Sequence, residues 1–123
     1  MLFRSKFGTY SVRAQDETEA SRLLEDALSL ESYGCFALVL EKIPARLAEQ
    51  VASKLSIPVI GIGAGSGVDG QVLVTHDMLG MTQEFSPRFL RRYLNLKEEM
   101  GKAIGAYCND VRNNKFPNQK EQY

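Results

Sequence analysis

Apolar positions follow two periods along the chain. Ala20, Leu23, Leu24, Ala27, Leu28 and Tyr33 recur at helical spacing and give one apolar stripe. Asp16-Glu17-Thr18-Glu19 opens this helix as a capping box: Asp16 accepts from the amide of Glu19, and Glu19 reaches back to the amide of Asp16. Gly34 stops it. Cys35-Phe36-Ala37-Leu38-Val39-Leu40 is then apolar on both faces, which predicts a strand covered on both sides, as in a parallel sheet. Pro44 suits the first position of a second helix, whose inner stripe is Leu47, Ala48, Val51 and Leu55. Ile57-Pro58-Val59-Ile60-Gly61-Ile62 predicts a second strand, and Gln71-Val72-Leu73-Val74-Thr75 a third. The glycine-rich loop at 63–70 between them is short for a parallel crossover, so the spacing allows a hairpin or a compressed crossover. Ser86 and Pro87 open a helix pattern that runs to about Arg112 through Phe89, Tyr93, Leu96, Met100, Ile104, Tyr107 and Val111, with a break expected near Asn95. Residues 113–123 form a polar tail. Helices alternating with strands predict an α/β protein with mostly parallel strands. Three strands make a small sheet with two open edges.

Composition narrows the partners. The chain has 123 residues, 44% hydrophobic and 24% charged, room for one domain. Lys plus Arg is 15 and Asp plus Glu is 15, so no net charge favours nucleic acid or an anionic membrane. No apolar run approaches the roughly 20 residues that span a bilayer, and no signal-peptide pattern is visible. Cys35 and Cys108 lie far apart without metal spacing, which predicts a cytoplasmic protein with reduced thiols.

Few residues carry candidate chemistry. Glu41 ends an apolar strand, and the carboxyl ends of strands are where α/β folds bind ligands. A carboxylate held there against an apolar wall can act as a general base; the alternative is a solvated loop residue paired with Lys42. Gly61-Ile62-Gly63-Ala64-Gly65 has the wrong spacing for a dinucleotide fingerprint. Its glycines let the backbone bend and approach a ligand or a neighbouring loop. His76, before Asp77, is a ligand contact or a structural histidine, and as the lone histidine it builds no zinc site. Asp69 reads as a turn residue before Gly70 rather than a metal ligand, and a solvated face or intersubunit ion pairs explain Arg88, Arg91 and Arg92 at least as well as a phosphate site.

Three blocks, Val39-Leu40-Glu41-Lys42-Ile43-Pro44, Ile57-Pro58-Val59-Ile60-Gly61-Ile62-Gly63-Ala64-Gly65 and Asp69-Gly70-Gln71-Val72-Leu73-Val74-Thr75-His76-Asp77, resemble ketopantoate hydroxymethyltransferase in order and spacing. The ending around Lys115-Phe116-Pro117 is also similar. Phe7-Gly8-Thr9-Tyr10-Ser11-Val12 looks like the family's F-G-G-Y-x-V loop, with Thr9 replacing a glycine. The resemblance implies a (β/α)8 TIM barrel, of which this chain supplies about the last three strands and their helices. It implies transfer of a hydroxymethyl group from 5,10-methylenetetrahydrofolate to 3-methyl-2-oxobutanoate, giving 2-dehydropantoate on the route to pantothenate. Glu41 aligns with the family's proton-abstracting glutamate, and Gly61, Gly63 and Gly65 would line the pocket. A magnesium ion (Mg2+) that chelates the keto acid is implied, with ligands in the amino-terminal half of the family, along with a homo-oligomer.

Members of the family are roughly twice this length. The resemblance therefore implies a fragment, with residues 1–5 a non-native start, 6–112 the carboxyl-terminal half of a barrel domain and 113–123 the tail. Met1-Leu2-Phe3-Arg4-Ser5 does not match the family, and Leu-Phe-Arg-Ser is what a sequencing-adapter end encodes, so a truncated gene model is expected. The isolated chain is expected to be inactive. The rival expectations are a non-catalytic half-barrel that assembles with a partner or itself, and a barrel enzyme of the phosphoenolpyruvate-mutase type.

Overall fold

The computed structural model describes residues 12–84 and 86–123. The expected non-native start and the loop at 7–11 lie outside the described residues. The chain forms two compact units, Met1–Leu73 and Val74–Tyr123.

The first unit contains α1 (Glu17–Ser32), β1 (Leu38–Glu41), α2 (Ala45–Lys54), β2 (Val59–Ile62) and β3 (Gly70–Gln71). Asp16 caps α1 as the sequence predicts, its Oδ1 accepting from the Glu19 amide at 2.8 Å. The reciprocal half of the box does not form. Glu19 instead accepts from the Ala14 amide at 2.8 Å and pairs with the Arg13 guanidinium. Pro44 is the N-cap of α2 rather than its first helical residue.

The sheet is fully parallel in the order β1-β2-β3. Leu38 pairs with Val59 and Glu41 with Ile62; Ile60 pairs with Gly70 and Gly61 with Gln71. Of the two connections the spacing allows, the parallel crossover forms, and it contains no helix. Asp69 makes it possible. Its carboxylate accepts from the Val59 amide at 2.8 Å, and its own amide donates to the Val59 carbonyl at 3.0 Å. The third strand is shorter than predicted. β3 has β2 as its one neighbour in the sheet, and β2 ends where Gly63 turns away at φ +63°. Val72 still donates to Gly61 at 3.0 Å, but the rest of the predicted strand has no partner strand among the described residues.

The sheet is covered on one face, which corrects the expectation that both faces of β1 are buried. Leu38, Leu40 and Val59 point to a core with Ala27 of α1 and Leu47, Ala48 and Val51 of α2. Both helices contribute to this core, and α2 is the one that connects two strands of the sheet, β1 and β2. The other face carries Val39, which is 63% exposed, together with Glu41, Ile60, Ile62 and Val72.

The second unit holds α3 (Thr75–Met78) and α4 (Leu96–Arg112). The long helix predicted from Pro87 begins only at Leu96, so the break expected near Asn95 is its true start. Residues 79–84 and 86–95 are irregular because the carbonyls at the end of α3 capture this part of the chain. Tyr93 donates to Met78 at 2.8 Å and Leu96 to Leu79 at 2.9 Å. Gly80 permits the approach at φ +72°, since a Cβ there would lie 2.2 Å from the Leu94 carbonyl oxygen. Arg92, read from sequence as part of a surface cluster, instead braces this loop through Ser86 Oγ at 3.1 Å and the carbonyls of Thr82 and Gln83 at 3.3 Å. No residue of α4 is buried. No helix among the described residues is long and apolar enough to cross a membrane.

Candidate active site

Glu41 is the last residue of β1 and stands exposed on the uncovered face. Its placement follows from alternation: Leu38 and Leu40 take the core side, so Val39 and Glu41 take the other. Two residues on, Ile43 is again buried in the core. The chain accomplishes this reversal at Lys42, which adopts φ +54°. That left-handed conformation costs a non-glycine residue about 1 kcal/mol. Hydrogen bonds on both sides hold it. The Lys42 amide donates to the Ile62 carbonyl at 2.9 Å, and its carbonyl accepts from the Arg13 amide at 3.1 Å.

The glycine segment leaves β2 immediately beside this turn. Gly63 and Gly65 both have positive φ, +63° and +80°. A Cβ on Gly65 would lie 2.4 Å from the Cβ of Ala45, so this loop rests on the first residue of α2. Of the two roles glycine serves here, close approach to a neighbouring element is thus realised. Gly67 does the same over Glu49, with a Cβ position 2.9 Å from that side chain. A Cβ on Gly61 would lie 3.0 Å from Val68 and 3.4 Å from the Gln71 amide group. Gln71 fastens the loop by donating from Nε2 to the Gly65 carbonyl at 2.8 Å. The carboxyl ends of β1 and β2, Glu41 and the segment with Gly61, Gly63 and Gly65 therefore adjoin. His76 and Asp77 lie in α3, in the second unit, rather than directly after a strand.

Sequence reasoning missed Gly67, Gln71 and the second hydrogen bond of Asp69. A glycine three residues before Gly70 carries no spacing signal of its own. A glutamine at a strand end has many uses, and its acceptor becomes visible only once the loop folds back.

The sequence resembles known proteins closely. The sequence profile of ketopantoate hydroxymethyltransferase matches residues 3–119. The chain belongs to the ketopantoate hydroxymethyltransferase family. A 3-methyl-2-oxobutanoate hydroxymethyltransferase of Flavobacterium johnsoniae is 71% identical over 118 residues, covering 96% of this chain and 43% of that protein. Proteins of the same name from Parabacteroides distasonis and Bacteroides thetaiotaomicron are 70% and 64% identical, each over 97% of this chain and 44% of their own length. This chain spans less than half the length of these curated members of the ketopantoate hydroxymethyltransferase family.

Proposed function

We propose that this chain supplies the carboxyl-terminal part of a 3-methyl-2-oxobutanoate hydroxymethyltransferase, with Glu41 as its general base. The reaction moves the one-carbon unit of 5,10-methylenetetrahydrofolate onto 3-methyl-2-oxobutanoate and yields 2-dehydropantoate, in pantothenate biosynthesis. The observation that carries this reading is the position of Glu41. It is a carboxylate on the open face at the carboxyl end of a parallel strand, beside the glycine segment, in a chain of this family.

The C–H bond next to the keto group breaks, its proton passing to the Glu41 carboxylate and its electron pair forming the enolate. The enolate carbon then bonds to the methylene carbon as its bond to one folate nitrogen breaks, that nitrogen taking the proton held on Glu41; water displaces the second nitrogen, leaving its oxygen as the new hydroxyl and giving that nitrogen a proton, and tetrahydrofolate departs. Val39 and Ile62 give the carboxylate an apolar surround on its own face, which limits its hydration once that face is covered. In this proposal the backbone of Gly61, Gly63 and Gly65 lines the pocket at the carboxyl end of β2.

A parallel sheet with helices on one face and an apolar opposite face is the pattern of one sector of a (β/α)8 barrel. Among the described residues no three His, Cys, Asp or Glu side chains gather to hold a metal ion. The described residues therefore do not fit the magnesium site that the resemblance implies, and its ligands belong, in this proposal, to the part of the relatives that this chain does not span. The proposal also includes a cytoplasmic location, consistent with free Cys35 and Cys108, and the homo-oligomer implied for the family.

The test joins this chain to the amino-terminal part of the Flavobacterium johnsoniae relative and measures folate-dependent transfer. Glu41→Gln is expected to lower kcat by about 10²–10⁴, and the 123-residue chain alone to show no transfer. A wild-type rate in Glu41→Gln would overturn the assignment. A second reading, a non-catalytic piece that assembles with a partner, is favoured by the uncovered apolar face around Val39. A well-folded monomer in size-exclusion chromatography counts against it.

A further inference from the structure

The turn that follows Glu41 is held from outside the sheet. Lys42 is left-handed between an exposed residue and a buried one, and its carbonyl is held by the amide of Arg13. Arg13 belongs to the segment that leads into α1. The next residue, Ala14, is itself left-handed at φ +54° and buried in the core. Glu19 spans this segment, one carboxylate oxygen on the Ala14 amide at 2.8 Å and the other on the Arg13 guanidinium. Glu19 is in turn fixed in the first turn of α1, where its amide donates to Asp16 at 2.8 Å.

We propose that Glu19 is a positioning residue for Glu41, acting through the backbone of Arg13 and the left-handed peptide of Lys42. The inference rests on the reading of Glu41 as the base. A left-handed, non-glycine residue keeps its conformation only where its surroundings over-determine it. Hydrogen bonds to Ile62 within the sheet and from Arg13 beyond it are among the restraints on Lys42. Loss of the second lets the peptide after Glu41 relax and moves the carboxylate from its working position. Proton abstraction is steep in distance, and a displacement of about 1 Å costs on the order of 10² in rate. The detour of Glu19 is the telling feature. In a simple capping box it would serve its own helix at Asp16. Here it reaches two residues further upstream and secures the segment that touches Lys42.

The first readout is amide hydrogen exchange by NMR in the full 123-residue chain. In Glu19→Ala the Lys42 and Arg13 amides are expected to exchange about tenfold faster or more, while the Leu38 amide, bonded to Pro58, changes by less than about twofold. Glu19→Gln still accepts from Ala14 and is expected to restore most of the protection. The second readout is turnover in the joined protein described above. Glu19→Ala is expected to lower kcat about tenfold or more with KM for the keto acid held within about threefold, and Glu19→Gln to recover most of it. Should Glu19→Ala fail to fold, Arg13→Met removes the ion pair with Glu19 while leaving the Arg13 backbone amide, and is expected to shift the Lys42 amide in the same direction. Unchanged Lys42 exchange, unchanged kcat, or an equal rise at Leu38 overturns the positioning path. Full activity in Glu41→Gln overturns instead the base reading beneath it.

Discussion

Single side chains that bind backbone do much of the organising in the first unit. Glu31 accepts from the Ser56 hydroxyl and amide, both at 2.7 Å, and from the Ile57 amide at 3.1 Å, tying the end of α1 to the entrance of β2. The Ser56 hydroxyl, then the Ser56 amide, hold its carboxyl below the usual value of 4.5. Because the folded state lowers this group, its contribution is complete above the unfolded value and is lost as pH falls through the folded one. Urea midpoints measured from pH 6 down to pH 3 are therefore expected to fall less steeply in Glu31→Gln than in the parent chain. Gly65 makes the opposite kind of demand, an absence of side chain. Gly65→Ala places a Cβ against Ala45 in a left-handed backbone, and equilibrium unfolding is expected to show a loss of about 1–3 kcal/mol.

Elements were legible where a period persisted and a breaker followed it. The α1 stripe closed by Gly34, and the α2 stripe behind Pro44, emerged near their predicted bounds. The failures occurred where a tertiary hydrogen bond competed with local preference. Phe89 and Tyr93 keep helical spacing, yet Tyr93 gives its amide to Met78, and that fold-back depends on Gly80. Val72 and Val74 have strand propensity, but β2 has already ended at Ile62. Glu41 was visible because a charge terminates an apolar run. The turn at Lys42 was not, because lysine carries no signal for positive φ. Within α4, Gly101 and Gly105 face open space, with nothing within 4 Å of a Cβ. Gly101→Ala is accordingly expected to stabilise the helix by about 1 kcal/mol, read from its thermal transition in circular dichroism.

At the scale of the whole molecule, the sheet of the first unit has one face that no described helix of its unit covers. The face with Val39, Ile60, Ile62 and Val72 is apolar, while α1 and α2 cover the other. Exposed apolar faces of this kind mark association surfaces. The chain is expected to bind the dye anilinonaphthalene sulfonate, with fluorescence reduced in Val39→Ser/Val72→Ser. Its unfolding free energy should move by only about 0.5 kcal/mol, since Val39 and Val72 are already 63% and 46% exposed. The crossover at Asp69 bears on how such a sheet comes into being. Parallel pairing ordinarily waits for a long intervening helix to be laid down, and is slow for that reason. Here Asp69 meets Val59 across ten positions of chain, a loop whose ends encounter one another in about 10–100 ns. The β2–β3 corner is thus a local event in a class of structure built mostly from distant ones. It offers the rest of the sheet a ready-made seed from which the register of β1 can grow.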